Sequence, residues 1–367
     1  MSLTPIYIAS IGSYAGKSIM ALVLGLRLRE RGLRVAYFKP VGALPVREQG
    51  TVTDEDALFI CQALGCEAPL ASLCPVLLTA EVEEQALQGQ VAGLDQLDER
   101  VTAAYREVSR GADVAVVGGI GNLSRGALIN LSGPRVAELL EARVVLLARY
   151  ESEHTVEEVL LTGERLGERL AAVAFNYVAP EMLDHVRGPV RDYLEGRRIA
   201  VIGAVPRDEV LGSVTVRELA EQLNAKLLCC EGQLDELIKQ FVIGAMNVAS
   251  AVKYFREREG KAVITGGDRP DIQLAALQTP TKAIILTGNL HPSAVLVKRA
   301  QQVGVPMLLV SSDTLSTVER IESILGKLRV RERAKVERAR ELLEQNLDFE
   351  RLLAIMGIPS RQEKERS

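Results

Sequence analysis

Residues Tyr7–Leu22 read YIASIGSYAGKSIMAL: an apolar run, a stretch of small residues, Gly16-Lys17-Ser18, and then an apolar helical pattern. A strand entering a loop of small residues that opens a helix at Lys17 is the context a phosphate-binding loop needs. Backbone N–H groups and the positive end of the helix dipole attract phosphate, a lysine reaches the outer phosphates, and the hydroxyl that follows it binds magnesium. The strict pattern G-x-x-x-x-G-K-[ST] places glycine at position 11, where this chain has Ile11. A β-branched residue disfavours positive φ, so Ser10 or Gly12 is expected to supply the tight turn. The expected nucleotide contacts are Ser10, Gly12, Ser13, Tyr14, Ala15, Gly16, Lys17 and Ser18; the alternative is a strand-to-helix turn with Gly16 serving close packing.

The rest of the chain fits that beginning. Its 367 residues suffice for two domains with cores, and 47% hydrophobic with 25% charged residues is ordinary globular composition. A formal net charge of −4 gives no electrostatic case for nucleic acid. Five cysteines and three histidines show no metal-ligand spacing, no secretory signal precedes the first strand, and no apolar run spans a bilayer, so a cytoplasmic protein with no membrane partner is expected. Strand patterns at Pro5–Ile11, Leu33–Phe38, Asp113–Val117, Val144–Ala148, Ala171–Phe175 and Ile199–Ile202 alternate with helical ones such as Ser18–Arg31, Asp54–Leu64 and Thr155–Leu170. That alternation predicts a doubly wound, mostly parallel α/β sheet over residues 1–230. A second, smaller α/β block comes next over 231–330 with strands in KAVITGG, KAIILTGN and VPMLLVSSD, and a C-terminal helical tail over 331–367. The tail carries Val336, Ala339, Leu343 and Leu347 at helical spacing, an apolar face that invites a homodimer.

Lys39 in AYFKPVGA ends a strand beside the opening loop, so Lys17 and Lys39 are the candidate catalytic cations facing one polyanion. Asp54, Glu55 and Asp56 start a helix; they suit capping, and Asp56 or Asp54 is the expected second magnesium ligand beside Ser18. The strand from Asp113 ends in Gly118-Gly119-Ile120-Gly121, glycines that let backbone approach a ligand. In the second block Gly266, Gly267, Asp268 and Asn289 lie at strand ends, where ligands bind or helices are capped; Arg269 and His291 are polar groups for a nucleotide or a partner. Cys229-Cys230 reads as core, and no nucleophilic triad can be assembled.

The order phosphate loop, FKPV, acidic helix start, glycine loop and AFNYV resembles dethiobiotin synthetase and the cobyrinate diamide synthases. With Gly203-Ala204-Val205-Pro206 and TVRELAEQLNAKLL it is more similar still to the amino-terminal region of long bacterial phosphotransacetylases, over about residues 1–230. The run FVIGAMNVASAVKYFREREGKAVITGGDRPDIQLAALQTPTKAIILTGNLHPS resembles the DRTGG domain, over about 235–330. The resemblance implies that Lys17 and Ser18 bind ATP phosphates and magnesium, Asp56 helps hold the metal, Lys39 faces phosphate or substrate, and Asn176 contacts adenine. Where the synthetase pattern reads V-E-G-x-G, this chain has Val117-Gly118-Gly119-Ile120-Gly121, so a carboxylate is missing at 118. The acetyltransfer domain of the phosphotransacetylases is expected to be absent, since the chain ends at Ser367.

These observations predict an ATP-binding regulatory protein with little or no hydrolysis, whose DRTGG domain senses a ligand or mediates assembly. The alternatives are an ATP-dependent ligase acting on a carboxylate and a dimeric interaction protein with a vestigial loop.

Overall fold

A computed structural model describes residues 3–13, 15–91, 93–208, 211–326 and 333–359. The chain divides into two compact units, 1–207 with 330–367 and 208–329.

The first unit is built on six strands: β1 Thr4–Ser10, β2 Val35–Phe38, β3 Val114–Gly118, β4 Arg143–Arg149, β5 Leu170–Val178 and β6 Val201–Pro206. They lie side by side in the order β6-β5-β4-β1-β3-β2, and every neighbouring pair is parallel. Burial on both faces explains the continuous apolar runs. In β1, Tyr7 and Ala9 join the cluster of Phe38, Val117 and Leu146, while Ile6 and Ile8 are fully buried on the opposite face. From β1 the chain crosses β3 to reach β2, then crosses β1 itself between β3 and β4. The winding therefore reverses beside β1, and the crevice beyond the carboxyl ends of such strands is where open α/β sheets hold ligands. Helix α1, Lys17–Glu30, leaves that crevice and buries Met20, Leu24 and Leu28. Each such side chain contributes about 1.5–3 kcal/mol of burial.

A hairpin that the sequence reading passed over, Pro45–Glu48 with Thr51–Asp54, precedes helix α2, Glu55–Ala63. Its two-residue turn has Gln49 at φ 47° and Gly50 at φ 82°, the left-handed pair that matches strand twist. The hairpin delivers Asp54 to the site.

The C-terminal helices Arg333–Asn346 and Phe349–Ile355 pack on this first unit and do not form a separate tail. Ala339, Leu343 and Leu347 are buried within the chain, and Val336 is half-buried. Leu347 bridges to Gly203, and the Asp348 N–H donates to the Ile202 carbonyl at 2.7 Å. Gly203 has φ 147°, and a Cβ there would lie 2.1 Å from the Asn346 carbonyl oxygen, so the close approach requires glycine. Arg340–Glu30 and Arg351–Glu195 ion pairs flank the contact. The apolar face of the tail is thus satisfied intramolecularly, which removes the reason it gave for a second subunit.

The second unit contains β7 Lys226–Cys229, β8 Gln240–Ile243, β9 Lys261–Gly266, β10 Thr281–Thr287 and β11 Met307–Leu309, in the order β7-β11-β10-β9-β8. All neighbours are parallel except the edge strand β7, which is antiparallel to β11. The boundary between units falls at 207/208, not near 230. Strand β7 pairs with β11, and the helix Val216–Leu223, begun by a Thr215/Glu218 capping box, buries Leu219 and Leu223 with Ile264 and Ile285.

Gly267 sits where the β9 end meets the 288–291 turn: an added Cβ would lie 1.6 Å from the Leu290 carbonyl oxygen. Backbone cannot yield there as a side chain would. Gly267→Ala is expected to cost at least about 3 kcal/mol, read as a lowered urea midpoint; a change below about 1 kcal/mol would contradict this packing.

Candidate functional site

The loop after β1 keeps the backbone of Ile11 in the sheet: its N–H donates to the Leu147 carbonyl at 3.2 Å, and its φ is not positive. No glycine is needed at that position. Ser10 closes the turn with its side chain, Oγ donating to the Gly12 carbonyl at 2.6 Å, while Gly12 itself borders open space. Of the two expected turn-makers, Ser10 is the one used. Ser13 is exposed, Ala15 buried, and Tyr14 lies outside the described residues.

Gly16 is where glycine is indispensable. It caps α1 at φ 93°, and a Cβ there would lie 2.7 Å from Asn176 Nδ2. Asn176, at the end of β5, donates from Nδ2 to the Ala15 carbonyl at 2.9 Å, and its Oδ1 accepts from the Tyr177 N–H at 2.9 Å. Both ends of the amide already hold protein partners, so Asn176, expected at adenine, here fastens the loop.

The Lys17 ammonium reaches back across the loop. Nζ donates to Ser10 Oγ at 2.8 Å and to the Gly121 carbonyl. Burial first, and then the nearby Lys39 charge, lower its pKa to about 8, with Asp56 opposing.

Lys39 is buried and paired, not aimed at open space. Its Nζ lies 2.7 Å from Asp54 Oδ1 and 3.5 Å from Asp56 Oδ2. Burial alone would lower its pKa, but Asp54 and Asp56 hold it above the ordinary lysine value. Asp54 accepts at Oδ1 also from the N–H groups of Asp56 and Ala57, and at Oδ2 from those of Ala43 and Leu44. A carboxylate so occupied is a structural anchor and helix cap, which withdraws Asp54 from the expected metal ligands. Asp56 stays available: its side chain is 25% exposed, and Oδ2 accepts from Ser18 Oγ at 3.4 Å. Ser18 and Asp56 are therefore the two oxygens brought together beside the loop.

Two of the glycines at the end of β3, Gly118 and Gly119, admit other parts of the protein. A Cβ at Gly119 would meet the Ile8 carbonyl oxygen at 2.7 Å, and one at Gly118 would meet the Tyr37 hydroxyl at 2.3 Å. Tyr37 is a residue the sequence reading missed, because only strand pairing reveals that its hydroxyl fills the space of a side chain at 118. Burial, then Asp56 and Asp54, hold this phenol protonated, far above its ordinary range. Among the described residues no group of three or more His, Cys, Asp or Glu could hold a metal, and no helix is long and apolar enough to cross a membrane.

In the second unit the residues expected at the rim are largely spent on the fold. Gly267 admits the Leu290 backbone, and Gly266 has the Asp268 carboxylate against it. Buried Gln273 donates to the carbonyls of Gly266 and Gly267 at 3.2 and 3.0 Å. Arg269 pairs with Asp271, and Asn289 takes φ 55° with its N–H on the Val310 carbonyl.

Comparison with known proteins fits both units. The AAA domain family matches residues 4–215, and the DRTGG domain family matches 218–324. The phosphate acetyltransferase of Synechocystis sp. is 25% identical over 379 residues, covering 95% of this chain and 51% of that protein. Its counterpart in Pseudomonas aeruginosa is 26% identical over 383 residues, covering 96% and 52%. The chain thus spans about half the length of the curated relatives it matches. Among solved structures, the CBS and DRTGG domains of a Clostridium perfringens pyrophosphatase, complexed with diadenosine tetraphosphate, align at 21% identity and TM-score 0.29, covering 34% of this chain and 50% of that one. MinD of Aquifex aeolicus aligns at 16% identity and TM-score 0.34, covering 57% and 84%. With a family match over more than half its length, the chain belongs to the AAA domain family and carries a DRTGG domain behind that region.

Proposed function

We propose that the first unit binds the phosphate chain of ATP or a related nucleotide and turns it over slowly or not at all, acting as a regulatory domain. The observation that carries this reading is Lys17: at a helix start beside the left-handed Gly16 its ammonium is held by a hydroxyl and a carbonyl, and among the described residues no carboxylate lies within ion-pair distance of it. An arriving phosphate gives that cation the counter-charge it lacks. Lys39 supports the site from behind, its charge shared by Asp54 and Asp56.

Magnesium fits the donor set in a limited way. Ser18 Oγ and Asp56 Oδ2 would hold it, with water and phosphate oxygens completing the shell, as this small hard ion prefers. Bound there, it would neutralise phosphate charge. Asp56 is a carboxylate left for that task and Gly118 supplies none; this favours binding over turnover and over the ligase reading. The DRTGG domain is the proposed sensing or assembly unit that reads the bound state.

The test is thermal unfolding of the full chain with ATP, ADP or GTP and magnesium. At a hundred times Kd, ligand adds about 2.7 kcal/mol to native stability, a clear rise in Tm. Lys17→Ala is expected to abolish that rise while the ligand-free melting temperature holds or increases, because a half-buried charge is removed. The pH dependence has a definite sign. The folded pKa of Lys17, about 8, lies below its ordinary 10.5, so the unfolded chain binds more protons between those values. Ligand-free stability gains from Lys17 as pH rises through that window. Nucleotide affinity moves the other way, weakening about three- to tenfold between pH 7 and 9 as the lysine loses its charge. No Tm rise with any of the three nucleotides overturns the proposal.

A further inference from the structure

Helix α2 ends in a turn with cysteine at both of its contacting positions. The Cys66 N–H donates to the Cys61 carbonyl at 2.9 Å, and the Gly65 N–H to the Gln62 carbonyl at 2.9 Å, with Gly65 at φ 56°. This pairing is the Schellman motif, which brings together the side chains at its outer positions, ordinarily two apolar groups. Here they are thiols. Cys61 is buried and Cys66 half-buried. Cys61 Sγ donates to the Cys66 carbonyl at 3.3 Å, and Cys66 Sγ to the Val35 carbonyl at 3.4 Å. The Arg29 guanidinium lies against the same turn, 2.9 Å from where a Gly65 Cβ would be.

We propose that Cys61 and Cys66 form a redox-active dithiol, with Cys66 the attacking thiolate and Cys61 the resolving thiol, closed to a disulfide by a hydroperoxide. The setting matches a reactive cysteine beside a resolving partner and a cation. The Cys61 thiol, then the Tyr37 backbone and the Arg29 charge, lower the Cys66 pKa to about 7 against an opposing burial effect. Burial instead pushes Cys74 up to about 12 and Cys230 to about 11. In the first step the Cys66 sulfur attacks the terminal peroxide oxygen; the S–O bond forms, the O–O bond breaks, and the leaving alkoxide or hydroxide takes a proton. In the second, the Cys61 sulfur displaces hydroxide from the sulfenic acid, and its thiol proton leaves with that hydroxide as water. Two thiols lose two electrons and the peroxide gains them.

The experiment uses the full chain treated with hydrogen peroxide near neutral pH, quenched with N-ethylmaleimide and mapped by fragmentation mass spectrometry. A Cys61–Cys66 linkage lacking two hydrogens is expected, with Cys74, Cys229 and Cys230 alkylated. Cys61→Ser is expected to leave a dimedone-reactive sulfenic acid at Cys66, and Cys66→Ser to form neither product. Because either variant can affect folding, the wild type supplies an independent reading. Its iodoacetamide labelling at Cys66 should have a pH midpoint near 7 and run on the order of tenfold or more faster than at Cys74. Absence of the linkage, or a Cys66 midpoint above about 8.5, overturns the assignment. Nucleotide binding is not required for any of these outcomes.

Discussion

Asp54→Ala is expected to cost about 3–5 kcal/mol of folding stability, one of the largest single losses this protein can suffer. The carboxylate is fully buried and accepts five hydrogen bonds, from Lys39 Nζ and from the N–H groups of Ala43, Leu44, Asp56 and Ala57. Removing it leaves a buried ammonium with only the more distant Asp56 at 3.5 Å, and strips the cap from α2. The cap alone is worth about 1 kcal/mol. Urea unfolding followed by circular dichroism checks the expectation: the midpoint should fall with little change in slope. Adding Lys39→Met should recover part of the loss, since the uncompensated charge goes with it. A loss below about 1 kcal/mol would mean that water reaches Lys39 and the pair is not buried.

Asp54 also marks how far the sequence could be read. Its position at a helix start was visible because Thr-Asp-Glu-Asp before an apolar run is a local signal. That it faces inward depends on the hairpin at 45–54, whose Gln49-Gly50 turn is a weaker cue than Asn-Gly. The six strands of the first sheet were legible because a parallel strand buried on both faces is a continuous apolar run. The glycine-lysine-serine at 16–18 was legible because loop and helix start are adjacent in the chain. Contacts made across strands left no such trace. Nothing local tells that Asn176 holds the loop, that Tyr37 reaches Gly118, or that Leu347 crosses to Gly203, since each joins residues more than seventy positions apart. The unit boundary is hidden locally for the same reason: 214–229 alternates like the residues before it, and the pairing of Lys226–Cys229 with Met307–Leu309 places it in the second unit.

Gly118→Glu is expected to destabilise the protein by more than about 3 kcal/mol, although it restores the V-E-G-x-G pattern. Gly118 is buried at the end of β3, and its added Cβ would sit 2.3 Å from the Tyr37 hydroxyl and 3.1 Å from its ring carbon. Tyr37 is held in a fully buried ring slot and cannot swing aside. The missing carboxylate and the tyrosine are therefore one feature of the site: each position excludes the other's alternative. A milder pair measures this coupling. Gly118→Ala alone should cost about 1–3 kcal/mol, and much less in a Tyr37→Phe background, where the clashing oxygen is gone. Thermal and urea unfolding of the two single variants and the double variant give the interaction energy directly. Costs that add within about 0.5 kcal/mol would show that Tyr37 does not occupy the place of a side chain at 118.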